Sequence, residues 1–472
     1  MILKTKMYKH QRKAFDKLSK IKVGALYMEM GTGKTRTALE LIKLRLDLNK
    51  VEHILWLCPC SVKKSLEKDL LKHCDDISKI TICGIETLSS SIKTNFNLIN
   101  LVSSKKVYLI VDESNLVKNH KAKRTKNIIG LAEYCTYKLI LNGTPISRCE
   151  KDLYSQWLVL DYRILGYKSF WSFAYNHLEY HPLKRGKIVR CLNTSYLVRK
   201  IAPYTYQVKK DECLDLPIKT YQTYYYELTE NQRYHYNEVA DKLMLKLDEF
   251  EPHTIYRLFS GLQSVISGFY VWEEKDHLKK NAFFENPLSN PRIQLLLDIV
   301  RNIDTKVIIF CKYKQEIQDI CELLGEKAVS FNGELSQKER QTNLEKFEKE
   351  AQYLVAIKTC AGYGLNLQFC NYVIYYNNDW DYATRAQSED RVHRIGQTKN
   401  VHYIDICADE TLDGRILDCL HNKEYLIDSF KDELSKQKDK KLLDVWINGK
   451  NKNGNRINLK SKFKEYEELK EG

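Results

Sequence analysis

The stretch Tyr-Met-Glu-Met-Gly-Thr-Gly-Lys-Thr, residues 27–35, decides how the rest of the chain is interpreted. It ends in Gly-x-Gly-Lys-Thr, the second half of a phosphate-binding loop, although Met28 stands where the full motif has its first glycine. The apolar run at 23–28 predicts a strand, and the apolar residues spaced along 38–46 predict a helix. This strand–loop–helix order is the context that the motif requires. The alternative is a chance glycine-rich turn.

A loop of this kind holds phosphate with backbone N–H groups, because glycine allows the tight turn and the following helix adds its positive dipole end. Lys34 would reach the β- and γ-phosphates, and Thr35 would hold Mg2+. The upstream Gln11 could read the edge of an adenine, since an amide both donates and accepts, although a glutamine on a helix is usually just solvated. We therefore expect ATP and Mg2+ as cofactors, with nucleotide contacts from Gln11, Glu29, Met30, Gly31, Thr32, Gly33, Lys34 and Thr35.

A second motif follows the run Val-Tyr-Leu-Ile-Val at 107–111, whose apolar residues predict a buried strand. Asp112 and Glu113 stand at its C-terminal end, where adjacent acids carry a desolvation cost unless a cation is near. With Thr35 and the nucleotide phosphates, Asp112 would complete a Mg2+ site. Glu113 would accept a proton from the attacking water. The alternative is a solvated Asp-Glu turn.

Other polar residues also follow predicted strands in the first half. Ser61 comes after the strand at 53–59 and Thr87 after the strand at 81–84, and open α/β sheets bind ligands beyond the carboxyl ends of their strands. Contacts to a nucleic-acid phosphate are one interpretation of these residues, and ordinary helix capping is an equally good one. The strand at 138–141 ends in Asn-Gly-Thr-Pro, a rigid polar loop that could sense the γ-phosphate.

Composition limits the class of protein. The chain has 472 residues, of which 43% are apolar and 29% are charged. This length is enough for two or three hydrophobic cores. No apolar run reaches the ~18 residues of a membrane span, and the N-terminus shows no secretory signal. Fourteen scattered cysteines without a C-x-x-C pair favour a reducing compartment. We therefore expect a cytoplasmic protein that is not secreted, or one of the host cytoplasm if it is viral.

The formal net charge of +15 favours a polyanionic partner, most simply nucleic acid. Residues 436–464 alone hold ten lysines and arginines against two acids, which indicates either nucleic-acid contact or a solvated end. Aromatic residues crowd the middle of the chain, where they could stack on bases but more often pack in helices. These are Tyr221, Tyr224, Tyr225, Tyr226, Tyr234 and Tyr236. In the same region, Thr229 and Gln232 have the spacing of a capping box.

The second half alternates strands and helices again, which predicts a second α/β domain. Its most distinctive stretch is Gln-Ser-Glu-Asp-Arg-Val-His-Arg-Ile-Gly-Gln at 387–397. Arg391 and Arg394 are three residues apart, so on a helix they would share a face. Guanidinium groups stay charged and can bind a phosphate through two parallel hydrogen bonds. The alternative is a basic surface helix.

Taken in order, these motifs resemble the superfamily II helicases of the Swi/Snf branch. The resemblance covers about 5–420 of the sequence. It rests on Gln11, Met-Gly-Thr-Gly-Lys-Thr (30–35), Cys-Pro-Cys-Ser-Val (58–62), Asp-Glu-Ser-Asn (112–115), Asn-Gly-Thr-Pro-Ile (142–146) and the stretch at 387–397. The Asp-Glu-Ser-Asn box replaces the Asp-Glu-Ala-His usual in chromatin remodellers and is similar to the compact helicase-like proteins of phages and other mobile elements.

The resemblance implies an α/β fold of two RecA-like P-loop domains with a helical linker region between them and ATP in the cleft. We expect an ATP-binding domain at 1–210, the linker at 211–291, a C-terminal helicase domain at 292–425 and a basic tail at 426–472. The resemblance also implies a catalytic set of Lys34, Asp112, Glu113, Gln387, Arg391 and Arg394. Gly362 and Asn366 would lie near the nucleic-acid track, because glycine permits close backbone approach.

The implied function is an ATP-dependent DNA helicase or translocase that couples ATP hydrolysis to movement on duplex or single-stranded DNA. A strand-separating helicase, an RNA-directed helicase and an ATP-gated nucleic-acid-binding module are the alternatives. The last of these is disfavoured, because the residues expected to support turnover are all present: Lys34, Asp112, Glu113, Arg391 and Arg394.

Overall fold

The structure, a computed structural model, describes residues 1–143, 150–182, 188–244, 252–274, 277–358, 365, 367–423, 426, 429–430 and 445–448. These residues form two compact units, the first consisting mainly of Met1–Leu216 and the second mainly of the residues from Pro217 onward. Each unit contains its own six-stranded parallel sheet. None of the helices in the described ranges combines the length and the apolar character that a bilayer crossing demands.

The first unit is built around one parallel sheet. Its strands are β1 (Val23–Met28), β2 (His53–Cys58), β3 (Ile80–Gly84), β4 (Val107–Val111), β5 (Tyr137–Asn142), β6 (Leu178–Tyr180), β7 (Ile188–Cys191) and β8 (Thr205–Val208). Its helices are α1 (Lys9–Leu18), α2 (Lys34–Asp47), α3 (Lys63–His73), α4 (Thr87–Ser90), α5 (Ile92–Ser104), α6 (Lys123–Glu133), α7 (Lys151–Leu160), α8 (Tyr162–Leu165), α9 (Phe170–His177) and α10 (Thr194–Ile201). The sheet has the order β3-β2-β4-β5-β1-β8, and β6 and β7 form a separate antiparallel hairpin.

Apolar residues on both faces of this sheet explain why its strands have continuous apolar sequences. Leu109 and Val111 of β4 belong to the core on one face, whereas Ile110 between them belongs to the core on the other. A strand covered by helices on both faces buries every residue, as β4 does. Because all neighbouring strands are parallel, their carboxyl ends share one edge of the sheet.

The second unit repeats this plan. Its strands are β9 (Lys219–Tyr226), β10 (Phe269–Glu274), β11 (His277–Ala282), β12 (Val307–Cys311), β13 (Ala328–Phe331), β14 (Tyr353–Ile357), β15 (Tyr372–Tyr375) and β16 (Val401–Ala408). Its helices are α11 (Glu230–Met244), α12 (Pro252–Ile266), α13 (Pro291–Arg301), α14 (Lys314–Leu324), α15 (Gln337–Lys349), α16 (Tyr382–Glu389) and α17 (Leu412–His421). The parallel sheet has the order β13-β14-β12-β15-β16-β9, and β10 pairs with β11 as an antiparallel hairpin.

The predicted fold class, two α/β units with parallel sheets, is confirmed. The stretch 211–291, expected to be helical, contains α11 and α12 but also three strands. One of them, β9, pairs with β16 at the edge of the second sheet. Its sequence Lys-Thr-Tyr-Gln-Thr-Tyr-Tyr-Tyr explains this, because threonine and tyrosine favour pleated structure over helix.

The tyrosines of this stretch mostly pack rather than face solvent. Tyr226 and Tyr236 are buried, and Tyr234 is the exposed member, at 68%. The predicted helix start is also present, because Thr229 Oγ1 accepts from the Gln232 N–H at 3.2 Å. The Gln232 side chain does not complete a capping box; it donates instead to the Val265 carbonyl at 2.7 Å and so joins α11 to α12.

Candidate functional site

The phosphate-binding stretch connects β1 to α2 in the first unit. Gly31 and Gly33 have φ angles of 82° and 86°, a region that residues with side chains rarely adopt. Gly33 directly precedes α2, and the Thr37 N–H donates to the Gly33 carbonyl at 3.2 Å. Since an α-helix leaves the N–H groups of its first turn without an intrahelical acceptor, the start of α2 suits a phosphate group.

Two side chains from α1 hold this loop in shape. Gln11 Nε2 donates to the Thr32 and Gly33 carbonyls at 3.1 and 3.4 Å, and Gln11 Oε1 accepts from the Tyr8 N–H at 2.9 Å. His10 Nε2 lies 2.8 Å from the Thr32 carbonyl and carries the proton, because a carbonyl can only accept. Gln11 therefore supports the loop, and its contact with adenine stays a prediction. No sequence pattern singled out His10.

Lys34 and Glu29 anchor the two ends of the loop. The Lys34 ammonium donates to the Met28 carbonyl at 2.9 Å, a contact for which a phosphate oxygen can compete. Glu29 Oε2 accepts from the Lys210 N–H at 2.7 Å. This second contact joins the loop to the residues after β8, which nothing in the sequence indicated.

The acid pair lies at the carboxyl end of β4, on the sheet edge that also carries the loop. Desolvation and the Glu113 charge raise the pKa of Asp112 to about 6, while the Lys34 ammonium acts to lower it. Glu113 has φ 49° and ψ 57°, a left-handed conformation that costs a non-glycine residue on the order of 1 kcal/mol. The structure thus brings Lys34, Asp112 and Glu113 within electrostatic reach of one another.

This donor set fits Mg2+. The ion prefers hard oxygen ligands, and a carboxylate desolvated beside a second carboxylate is a group that a divalent cation would stabilise. Asp112 and the Thr35 hydroxyl in the first turn of α2 are the residues that would hold it.

A buried polar network links the acid pair to the end of β5. Ser114 Oγ donates to Gln156 Oε1 at 2.6 Å, and Asn142 Nδ2 donates to Ser114 Oγ at 3.4 Å. Gly143, the next residue, packs on the loop, since a Cβ built on it would lie 3.4 Å from Met30 Cγ. The network therefore connects the acid pair, the loop and the strand that leads into Thr144 and Pro145, which lie outside the described residues. Gln156 on α7 completes it and was missed from the sequence.

Ser61 and Thr87 lie beyond the carboxyl ends of β2 and β3, which pair side by side. Their segments contact each other, because Cys60 Sγ lies 3.3 Å from Thr87 Oγ1 and the Cys60 N–H donates to Glu86 Oε2 at 2.9 Å. The two residues share the sheet edge with the acid pair, and their contact with nucleic acid stays a prediction.

In the second unit, α16 carries Gln387 and ends at Glu389, so Arg391 and Arg394 lie in the turns that follow it. The expectation that the two arginines share a helix face is therefore wrong. Two contacts redirect the chain: the Leu367 N–H donates to the Arg391 carbonyl at 3.1 Å, and the Tyr403 hydroxyl donates to the last helical carbonyl, that of Glu389, at 3.1 Å. Tertiary hydrogen bonds thus override the helical spacing.

Buried charges fix the position of these turns. Arg385 donates to Glu389 at 2.9 Å and to both carboxylate oxygens of Asp405 at 2.6 and 3.1 Å. Its guanidinium also lies 3.4 Å from the centre of the Tyr375 ring. Lys219 adds a further ion pair to Glu389 at 3.1 Å. Gly362 and Asn366, predicted to lie near nucleic acid, fall outside the described residues, as does most of the basic tail.

Comparison with known proteins identifies the family. The SNF2-related domain matches residues 7–265, and the helicase conserved C-terminal domain matches residues 291–396. The chain belongs to the SNF2-related family. The match includes the loop, the acid pair and the β4 strand in one domain, and the strands β12 to β15 in the other. The predicted membership of the Swi/Snf-like helicases is confirmed at the level of the family.

Three relatives illustrate the range. An uncharacterised ATP-dependent helicase of Mycoplasma genitalium is 25% identical over 86% of this chain and 40% of its own length. The uncharacterised ATP-dependent helicase YqhH of Bacillus subtilis is 25% identical over 86% of this chain and 76% of its own length. A SWI/SNF-related, matrix-associated, actin-dependent regulator of chromatin (subfamily A-like protein 1) from Xenopus laevis is 24% identical over 80% of this chain and 39% of its own length. The SNF2-related chain thus spans about two fifths of the length of two of these relatives.

Replacing Gly33 should distort the loop. Gly33→Ala places a side chain at a left-handed φ, which costs about 1–2 kcal/mol, and its Cβ would clash with Gln11 Nε2. We expect a lower urea midpoint and weaker binding of a fluorescent ATP analogue. Gly130→Ala is the matched control, because Gly130 lies within α6 with open space around it and the change should stabilise by about 0.5–1 kcal/mol. Wild-type stability and nucleotide affinity in Gly33→Ala would contradict the role given to this loop.

Glu113→Gln separates nucleotide binding from hydrolysis. The amide cannot accept a proton from water, so kcat should fall by about 10^2–10^4 while ATP affinity stays close to that of the wild type. Steady-state turnover and equilibrium ATP binding measure the two effects. The control is Glu133→Gln, an exposed acid at the end of α6, which should change neither. Normal turnover in Glu113→Gln would refute its assignment as the general base.

The pKa of Asp112 predicts a pH dependence. Its pKa of about 6 lies above its ordinary value of 3.8, so the folded chain binds this proton more tightly than the unfolded chain does. As the pH falls through about 6, Asp112 is protonated and the folded chain loses an unfavourable negative charge. The same protonation removes a carboxylate ligand for Mg2+. Turnover should fall below this pH, and more Mg2+ should move the midpoint to lower pH because the ion competes with the proton. A pH midpoint of turnover that does not change with the Mg2+ concentration would contradict the assignment of Asp112 as a ligand.

Proposed function

We propose that this SNF2-related chain is a Mg2+-dependent ATPase that DNA stimulates and that translocates on DNA. The observation that carries the proposal is the grouping of Lys34, Asp112 and Glu113 at one sheet edge, beside a glycine loop that opens a helix. This grouping matches the needs of phosphoryl transfer, which are positioning and charge stabilisation. The relatives named ATP-dependent helicases support the same reaction.

Each residue of the first unit has a distinct task in this reaction. The loop backbone and Lys34 hold the β- and γ-phosphates, and Gln11 and His10 keep the loop rigid. Mg2+, when bound, neutralises charge on the phosphate oxygens. Glu113 takes the proton from the attacking water. Its left-handed backbone ends the extended run of β4, and the Ser114–Gln156 hydrogen bond fixes the turn that follows it.

DNA is the proposed track because the chain carries a net charge of +15 and a phosphate backbone offers the complementary charge. Translocation follows if ATP-bound and nucleotide-free states grip that backbone with different affinity. Duplex DNA is favoured over RNA by membership of the SNF2-related family. We also infer that the chain is of the compact phage or mobile-element type, which rests on its Asp-Glu-Ser-Asn box at 112–115.

Displacement of a triplex-forming strand tests translocation directly. The full chain with ATP and Mg2+ should displace the third strand from a duplex track, since a moving protein strips it without opening the duplex. Lys34→Ala should leave the triplex intact. Displacement without ATP, or ATP hydrolysis on the duplex without displacement, would overturn translocation as the function.

We further propose that Arg391 and Arg394 stabilise charge on the γ-phosphate in the transition state. Arg391→Ala or Arg394→Ala should then lower kcat by a factor on the order of 10^3, with little change in ATP affinity. Lysine should not restore the rate, because a point charge does not reproduce the guanidinium fork. Arg301→Ala, which removes an exposed arginine from the same unit, is the control. Wild-type kcat in both variants, with saturating DNA, would exclude this role.

A further inference from the structure

The helix α9 carries two large aromatic side chains on its outer face. Trp171 is 68% exposed and Tyr175 is 88% exposed, and their i, i+4 spacing places them side by side. The inner face of the same helix is fully packed: Phe170, Phe173, Ala174 and His177 are buried. Large aromatic surface exposed on a rigid element is costly to keep in water, so it marks a site of interaction.

The inner face makes α9 a firm support. Phe170 stacks on His120 with ring centres 3.8 Å apart, and Phe173 lies 5.3 Å from Tyr154. Ser169 caps the start of the helix by accepting from the Ser172 N–H at 3.2 Å. The two outer rings are therefore presented by a helix whose position is fixed, which lowers the entropy lost when they bind a ligand.

The charge around α9 indicates the chemistry of that ligand. Residues 161–200 contain eight lysines and arginines and two acids, and each acid is ion-paired, Asp161 with Arg163 and Glu179 with Arg190. Among the other described cations, Lys168, Arg199 and Lys200 are exposed. A protein-docking face is normally depleted of lysine, whereas exposed rings interleaved with cations are typical of surfaces that follow a nucleic-acid strand.

We propose that the α9 face, defined by Trp171 and Tyr175 with Lys168, binds unpaired nucleotides of a DNA strand by stacking. A duplex offers its phosphates and base edges but no base faces, so flat rings gain a stacking partner only where bases are unpaired. The face would therefore recognise a single strand. This rests on the proposed function, since it assumes that nucleic acid is the track.

Binding of fluorescein-labelled oligo(dT) and of a blunt duplex to the full chain, followed by anisotropy at one salt concentration, tests the proposal. Trp171→Ala/Tyr175→Ala should weaken oligo(dT) binding by about fivefold or more for each ring lost. Its affinity for the blunt duplex and its duplex-stimulated ATPase should match the wild type. Trp171→Phe/Tyr175→Phe should keep most of the oligo(dT) affinity, because the rings remain. Phe96→Ala, which removes another ring that is 63% exposed, should change nothing.

Unchanged oligo(dT) affinity in the double alanine variant would overturn the proposal and leave α9 as a face for another kind of partner. Equal loss for oligo(dT) and duplex would also overturn it, because stacking on unpaired bases affects only the single strand. A wild-type chain that fails to hydrolyse ATP on DNA would instead overturn the proposed function, so the two failures are distinguishable.

Discussion

A carboxylate desolvated next to a second carboxylate and near a lysine is the constraint on which the candidate site depends. Asp112 has a pKa of about 6 because desolvation and Glu113 both disfavour its charge, and Lys34 only partly compensates. Such an arrangement is unfavourable for folding alone and becomes favourable when a cation and phosphates complete it. The packed β4 strand and the Ser114–Gln156 hydrogen bond keep the acids in place despite that cost. The two acids therefore lower the stability of the folded chain, but they are already in position to bind a cation.

The parallel sheet brings together groups that are far apart in the sequence. The glycine loop, the acid pair and Asn142 follow β1, β4 and β5, which pair in parallel and so end on one edge. No single segment of the chain could place these groups together. The second unit uses the same plan to support the turns after α16, where Arg385 joins Glu389 and Asp405 in a buried network. Tertiary contacts therefore decide the local conformation around Arg391 and Arg394.

Strands buried on both faces could be predicted from the sequence, because a short continuous apolar run such as 107–111 is typical of a strand in the middle of a covered sheet. The loop could be predicted as well, since glycine spacing and its flanking elements are local signals. His10, Lys210 and Gln156 could not, because each acts through a contact with a residue more than twenty positions away. The helix predicted for Arg391 and Arg394 failed for the same reason. Spacing describes local geometry, and hydrogen bonds from distant residues can overrule it.

The most direct measurement is the rate of ATP hydrolysis by the full chain as duplex DNA is titrated in at constant ionic strength and Mg2+. We predict that turnover rises with DNA to a plateau and that Lys34→Ala shows no turnover at any DNA concentration. A rate that is the same with and without DNA, or wild-type turnover in Lys34→Ala, would contradict a DNA-stimulated ATPase built on this loop.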